Sequence, residues 1–154
     1  MSEKPNLPWW LKLANPAVMA ANSLGLSMGP VQVLSVPGRR SGKLRSTPVT
    51  PITVNSNRYI TTVGDTQWVK NARVAGWGVL ARGRNRHRIG LVELPPEQRG
   101  AILREFPRQA PQGIRFYQQA IGITGDPESF AAAAPRCRVF QVVENGMRPQ
   151  EDQA

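Results

Sequence analysis

The apolar residues of the chain fall into short runs separated by glycine, proline and polar residues, a pattern typical of β-strands joined by turns. Pro48 and Pro51 lie within the second run, and because proline donates no backbone hydrogen bond, they predict an edge strand or a bulge there. Gly-Arg-Asn at residues 83–85 predicts a hairpin turn between two later runs. The runs predict six strands, at residues 31–36, 46–54, 58–63, 78–82, 86–94 and 136–144.

Helical patterns occur at three places. QWVKNARVAG at residues 67–76 predicts a short helix, with Asp65 or Thr66 as its N-cap. Further helical segments follow within about residues 95–134, and the first of them starts with two prolines, which suit the first turn of a helix. Residues 7–29 predict one or two helices broken near Pro16.

These elements predict a single domain that is mainly β with helical additions, in the α+β class: a small barrel of six short, mostly antiparallel strands. A length of 154 residues is enough for one hydrophobic core. The predicted organisation is a helical segment at 1–29, a β-barrel domain at 30–144 with a helical insertion at about 95–134, and a polar tail at 145–154.

The formal net charge of +10 predicts a polyanionic partner, which could be nucleic acid, an anionic membrane or a small molecule rich in phosphate and carboxylate. A solvated basic surface is the alternative. Cys137 is the only cysteine, so no intramolecular disulfide can form and a reducing compartment fits. No run approaches the roughly 20 apolar residues that cross a bilayer, and residues 2–6 lack the basic start of a secretory signal. We therefore expect a cytoplasmic protein.

The turn GRRSGKLR at residues 38–45 concentrates basic residues between two glycines. It is not a nucleotide-binding P-loop, because its glycine spacing is one residue short and Leu44 occupies the Ser/Thr position. Gly38 and Gly42 let backbone amides approach an anion, and the arginines and Lys43 add charged donors. The sequence thus predicts an anion-binding turn, with a solvated hairpin tip as the alternative.

Metal and nucleophile chemistry have few candidate residues. His87 is the only histidine and lies among arginines on a strand, while Cys137 is distant in sequence and lies in an apolar run. We expect Cys137 to be a buried structural thiol and predict no metal site. With so few candidate acids and bases, catalysis would belong to a bound cofactor.

GRRSGKLRSTPV at residues 38–49, followed after a β-meander by GDTQWVKNARVAG at residues 64–76, resembles the signature of the deazaflavin-dependent nitroreductase family. The resemblance covers about residues 30 to 94. It implies a split β-barrel like that of FMN-binding oxidases, and a cofactor that is the deazaflavin coenzyme F-420, with FMN as the alternative. Coenzyme F-420 carries a phosphodiester and an oligoglutamate tail, and a basic turn would bind these anionic groups.

The resemblance also implies positions for the cofactor. The basic turn would hold its phosphate or tail, residues 46–50 would lie along its ring, and the loop at 62–65 would close over it. Trp68 and Asn71, on one face of the predicted helix, would wall the ring and bind its polar edge. Asp65 departs from the family pattern, since its negative charge lies in a short loop near the expected phosphate. The implied cofactor residues are Arg39, Arg40, Ser41, Gly42, Lys43, Arg45, Ser46, Thr47, Pro48, Val49, Thr50, Thr62, Val63, Gly64, Asp65, Trp68, Val69, Lys70, Asn71 and Ala72.

The implied reaction is hydride transfer from the reduced coenzyme to an activated double bond, a quinone or a nitroaromatic compound. Tyr117 is the candidate proton donor or substrate-orienting phenol, with ordinary packing as the alternative. Phe106, Phe116, Trp9 and Trp10 are the candidates for an apolar pocket that receives an aromatic acceptor. The segment that carries Trp9 and Trp10 could instead touch a membrane surface, cover the core or cover a partner subunit.

Two other functions stay open at this point. The same barrel could be a non-catalytic carrier of deazaflavin, flavin, haem or a lipid-like ligand, since acid and base residues are few. A nucleic-acid-binding module is supported by the charge and by ARGRNRHR at residues 81–88, but no aromatic residues are interleaved with that basic run, and we expect no nucleic acid partner. The expected assembly is a monomer or a homodimer.

Overall fold

The computed structural model describes residues 31–144, where seven strands form one antiparallel sheet. The strands are β1 (Gln32–Pro37), β2 (Leu44–Val49), β3 (Ile52–Val54), β4 (Asn57–Val63), β5 (Trp77–Arg82), β6 (Asn85–Glu93) and β7 (Cys137–Glu144). The helices are α1 (Gln67–Ala75), α2 (Pro96–Gln109), α3 (Ile114–Ile121) and α4 (Pro127–Ala132), with 3-10 turns at Pro111–Gly113 and Ala134–Arg136. The α+β class predicted from the sequence is confirmed.

The structure has seven strands where the sequence predicts six, because the second predicted strand is interrupted at Thr50 and Pro51. The sheet order is β2-β1-β5-β6-β7-β4-β3, so β2 and β3 lie at opposite edges. Two residues joining them reach only about 11 Å of chain, which forces the sheet to curl until its two edges meet. Pro48 is tolerated in β2 because β2 is an edge strand.

The curled sheet has a hydrophobic core on each side. The inner core lies within the curl, and α1 closes it by inserting Val69 and Ala72. Its other buried members come from the strands: Leu34, Val36, Val49, Ile60, Leu80, Ile89, Leu91, Phe140 and Val142. The outer core lies between the β3-β4-β7 part of the sheet and the helices α2, α3 and α4. The helices that follow β6 therefore cover one outer side of the sheet, and α1 alone of the described helices closes the inside.

Gly78 of β5 lies against the backbone of β1, and its substitution by alanine should destabilise the sheet. A Cβ atom there would lie 2.8 Å from the backbone oxygen of Ser35, and neither strand can move without breaking the ladder. We expect Gly78→Ala to lower the free energy of unfolding by about 1–3 kcal/mol in urea denaturation. Gly100→Ala in α2 is the matched control, since its Cβ would meet nothing closer than 3.5 Å and should stabilise the helix by about 0.5–1 kcal/mol. Equal effects of both substitutions would contradict this account.

The predicted N-terminal helices, with Trp9 and Trp10, and the polar tail at residues 145–154 lie outside the described residues. Within residues 31–144, none of the helices is long and apolar enough to cross a membrane.

Candidate functional site

The basic turn between β1 and β2 is closed by its own backbone. The Gly38 N–H donates to the Lys43 carbonyl at 2.8 Å, and the Gly42 N–H donates to the Gly38 carbonyl at 2.9 Å. Gly42 has a φ of +76°, a conformation that residues with a Cβ atom rarely adopt. The Ser41 Oγ accepts a hydrogen bond from the Lys43 N–H at 3.1 Å. The turn therefore has a defined shape rather than that of a loose hairpin tip.

Asn71 of α1 holds this turn in place. Its Oδ1 accepts hydrogen bonds from the backbone N–H of Arg39 at 3.0 Å and from Arg39 Nη1 at 2.7 Å. Arg39 Nη1 also donates to Gln67 Oε1 at 3.1 Å. Asn71 is buried, with 3% of its surface exposed. A buried amide that binds both the backbone and the side chain of one residue fixes the turn against the start of the helix.

The side-chain nitrogen of Asn71, Nδ2, does not take part in holding the turn. Both groups facing Oδ1 are donors, so the amide is oriented with Nδ2 directed away from Arg39. Among residues 31–144, Nδ2 has no hydrogen-bond acceptor. A buried polar group normally has a partner, because an unsatisfied one costs about 1–3 kcal/mol. Asn71 thus offers a buried donor beside the basic turn.

Besides Arg39, the turn carries three exposed cations. Arg40, Lys43 and Arg45 are exposed, and none of them forms an ion pair with a carboxylate in the described part of the chain. The Arg45 Nε lies 3.3 Å from where a Cβ atom of Gly38 would be, so the arginine folds across the base of the turn and needs glycine there. Like charges held together without carboxylates attract an anion.

The N-terminus of α1 adds to this positive field. Thr66 is the N-cap, and its Oγ1 accepts the Val69 N–H at 3.4 Å. The first turn of the helix contains no acidic residue, so the partial positive charge of its N–H groups is not neutralised there. Gln67, at the first helical position, contacts Arg39. The helix N-terminus and the basic turn therefore lie side by side.

Asp65 is neutralised by two arginines, Arg73 and Arg138. Its Oδ1 accepts from Arg138 Nε at 2.7 Å and from Arg73 Nη2 at 3.1 Å. These hydrogen bonds, first that of Arg138 and then that of Arg73, lower the pKa of the Asp65 carboxyl. Arg73 also forms a two-fold contact with Glu93, both distances being 2.8 Å, and lowers the pKa of that carboxyl. The network joins α1 to β6 and β7, and Asp65 adds little net negative charge to the site.

Replacing Arg73 by glutamine should flatten the acid dependence of stability. In the wild type, the lowered pKa values of Asp65 and Glu93 stabilise the fold above the unfolded pKa of about 4, and this contribution is lost as the pH falls through the lower folded values. Without Arg73, the folded pKa of Glu93 returns toward its ordinary value, so less stability is present at neutral pH and less is lost in acid. Urea unfolding at a series of pH values between about 6 and 2 measures this.

Arg104→Gln is the control for that experiment, because it removes the exposed ion pair with Glu128 outside the network. It should leave the steepness of the acid profile unchanged. An Arg73→Gln profile as steep as that of the wild type would contradict the role given to the network.

The remaining residues of the implied cofactor set lie around α1 and β2. Trp68 is partly buried and packs against Phe140, with 5.2 Å between ring centroids. Val69 and Ala72 are buried in the inner core, while Lys70 is exposed. Ser46 in β2 bonds to Ser35 through their hydroxyls at 2.7 Å. Val49 in β2 is buried, and its neighbours at positions 47, 48 and 50 are partly buried. Residues 62–64 form the end of β4 and the start of the loop that leads into α1. The turn, β2, the loop after β4 and α1 are thus joined in one region.

The other proposed site residues lie in the outer core, away from this region. Tyr117 is 3% exposed and packs against Phe106 and Phe130, and its hydroxyl is 2.6 Å from Thr61 Oγ1. Burial raises the pKa of Tyr117 well above its ordinary value. Phe116 is 44% exposed on α3. Since Thr61 and Thr62 face opposite sides of β4, the sheet separates Tyr117 from the inner core and α1. The structure does not bring Tyr117, Phe106 or Phe116 together with the basic turn.

The chain's histidine and cysteine lie elsewhere. His87 Nε2 is 3.4 Å from a Glu144 oxygen, and Glu144 also pairs with Arg58. Cys137 is buried, and this burial raises the pKa of its thiol to about 11. Within residues 31–144, no three histidine, cysteine or acidic side chains lie close enough to hold a metal ion.

No protein-family model and no curated protein matches this chain. Among solved structures, a protein of unknown function from Agrobacterium tumefaciens aligns with a TM-score of 0.55 at 14% identity, over 94% of this chain and 58% of that one. A putative pyridoxamine 5'-phosphate oxidase from Listeria innocua aligns with a TM-score of 0.50 at 11% identity, over 86% of this chain and 94% of the other. An F420-H2 dependent reductase aligns over 74% of this chain and 94% of its own at 18% identity, with a TM-score of 0.49.

At these identities the likeness is one of fold. The curled antiparallel sheet with added helices agrees with the split-barrel fold that the resemblance implies, with seven strands where six are predicted. The chain spans little more than half the length of the Agrobacterium protein.

Proposed function

We propose that this protein binds the deazaflavin coenzyme F-420 at the basic turn and uses it to reduce an activated double bond, a quinone or a nitroaromatic compound. One observation carries the proposal: a turn of fixed shape presents three exposed cations, without carboxylate partners in the described chain, beside the N-terminus of α1. The phosphodiester and glutamate tail of F-420 supply the anionic groups that such a turn would bind. FMN, with a single phosphate, is the alternative cofactor.

The residues of the site divide the work of binding. Arg40, Lys43 and Arg45 would bind the phosphate or tail, because their side chains are exposed and no carboxylate within residues 31–144 competes for them. Arg39 is a positioning residue, since its guanidinium and backbone N–H are both bound to Asn71. Asn71 Nδ2 would donate to the polar edge of the coenzyme. Residues 46–50, the loop at 62–65 and Trp68 would enclose the ring.

The bound coenzyme would supply the hydride, and the protein would orient the acceptor and exclude water. Trp68 is half-buried, which leaves part of its indole available as a wall of the site. A proton must follow the hydride onto the acceptor. His87 lies with Glu144 at the distant ends of β6 and β7, and Tyr117 is buried in the outer core. We therefore assign the proton to solvent rather than to either side chain.

Two measurements test the proposal. Titration with F-420 should quench tryptophan fluorescence, because Trp68 adjoins the proposed ring site. Reduced F-420 should then be oxidised by an enone, a quinone or a nitroaromatic in a single turnover. The returning absorbance of oxidised F-420 measures this reaction. If no method detects binding even at high coenzyme concentrations, the proposal is overturned. Binding of FMN alone would replace the cofactor.

A carrier without catalytic activity is the second candidate, favoured by the absence of an accessible histidine or tyrosine near the turn in the described residues. It predicts tight coenzyme binding without acceptor-dependent oxidation. The single-turnover experiment therefore separates the two functions.

Replacing Tyr117 by phenylalanine tests the candidate proton donor directly. Because Thr61 is the only described side chain to which the hydroxyl is hydrogen-bonded, we expect a loss of about 1 kcal/mol in the free energy of unfolding and a single-turnover rate within twofold of the wild type. A rate reduced tenfold or more, with coenzyme affinity unchanged, would restore Tyr117 to the mechanism.

A further inference from the structure

The outer face of β1 and β5 is buried, although it belongs to neither core. Val33 and Ala81 face away from the inner core, opposite in direction to their neighbours Leu34 and Leu80. They are 6% and 4% exposed, and Ser35, which lies on the same face, is 5% exposed. Neither Val33 nor Ala81 packs in the inner or the outer core. A surface this well buried must have a cover.

The described helices do not provide that cover. The helices α2, α3 and α4 pack on β3, β4 and β7, and α1 packs inside the curl. The face is apolar across β2, β1 and β5, because Pro48 of β2 lies directly across from Val33 and Val79 of β5 lies directly across from Ser35. On its β6 side the face is bordered by the exposed Arg86 and Arg88, directly across from Ala81 and Val79. Small and apolar side chains at matching positions of three adjacent strands make a surface that an apolar segment can cover.

We propose that the N-terminal segment at residues 7–29 of the same chain docks on the outer face of β1 and β5. This segment ends next to the start of β1, so it is tethered at the edge of the face and its effective concentration there is about millimolar. It is rich in apolar residues, with Trp9, Trp10 and Leu13 among them.

Photo-crosslinking in the full-length chain tests this proposal. The photoreactive residue p-benzoylphenylalanine is placed at Val79, which is partly exposed on the proposed docking face. The control position is Phe116, which is 44% exposed on the helical side of the sheet. Irradiation followed by peptide mass spectrometry should give at least tenfold more crosslinks into residues 7–29 from position 79 than from position 116.

Mixing isotopically labelled and unlabelled protein before irradiation identifies the chain that each crosslink joins. Crosslinked peptides of a single isotope support docking within one chain. Mixed-isotope peptides would show that a second copy covers the face, and crosslinks only to residues 145–154 would assign it to the tail; either result overturns the proposal. Val92, 50% exposed on the outer side of β6, serves as a second probe position if the Val79 variant does not fold. No crosslinks into residues 7–29 from a folded variant also overturn it.

Discussion

Replacing Lys43 and Arg45 together by alanine should weaken the proposed binding of F-420 by about a hundredfold or more, with little effect on folding. Both side chains are exposed at the basic turn and neither is paired with a carboxylate in the described residues, so their removal costs no intramolecular ion pair. A hydrogen bond between charged groups contributes about 1.5–3 kcal/mol, and two of them account for a loss of at least about 3 kcal/mol, or roughly a hundredfold in affinity. Isothermal titration calorimetry at low and at moderate salt measures the change.

The matched control removes the same charge at the opposite end of the sheet. Arg82 and Arg86 are exposed at the β5–β6 hairpin, and the register of β1 with β5 places that hairpin at the far end from the basic turn. Arg82→Ala with Arg86→Ala should change coenzyme affinity less than threefold, with the same net charge as the first double variant. Equal losses in the two variants would mean that long-range charge alone attracts the coenzyme, and would remove the basic turn as its binding site.

The strands are the part of the fold that local pattern predicts well. The apolar runs of β1, β4 and β7 follow directly from burial on one or both faces of a sheet. The break at Thr50 and Pro51 is harder to predict from the sequence, because both halves of the predicted second strand read as strand. They differ in the strand with which each pairs, β1 for the first half and β4 for the second. Strand pairing is a tertiary property, so the sequence indicates the prolines but not the change of sheet edge.

In the candidate site too, local motifs can be predicted from the sequence but tertiary contacts cannot. The basic turn and the helix with Trp68 and Asn71 are visible as local motifs, and the structure brings them together. The hydrogen bonds from Arg39 to Asn71 join residues 32 positions apart, and no local pattern predicts them. Tyr117 illustrates the reverse: its residue type suits acid-base chemistry, but the fold places it among Phe106 and Phe130 on the other side of the sheet.

Replacing Asn71 separates its two proposed roles. Asn71→Leu removes the acceptor of both Arg39 hydrogen bonds and leaves the turn detached from α1. We expect a loss of about 1–3 kcal/mol in the free energy of unfolding, measured by urea denaturation, because a backbone N–H loses its partner in a partly buried place. Coenzyme affinity should fall at least tenfold as well, since the cations of the turn are no longer held in one arrangement.

Asn71→Asp keeps the acceptor and removes the donor. Its carboxylate can accept the same two hydrogen bonds from Arg39 and gains that guanidinium as a counter-ion, so the free energy of unfolding should stay within about 1 kcal/mol of the wild type. If Nδ2 faces the coenzyme, affinity still falls tenfold or more, because a donor is replaced by a negative charge. Wild-type affinity in this variant would contradict a contact between Nδ2 and the coenzyme. Asn71 would then only hold the turn, because the carboxylate of the variant still accepts the hydrogen bonds from Arg39.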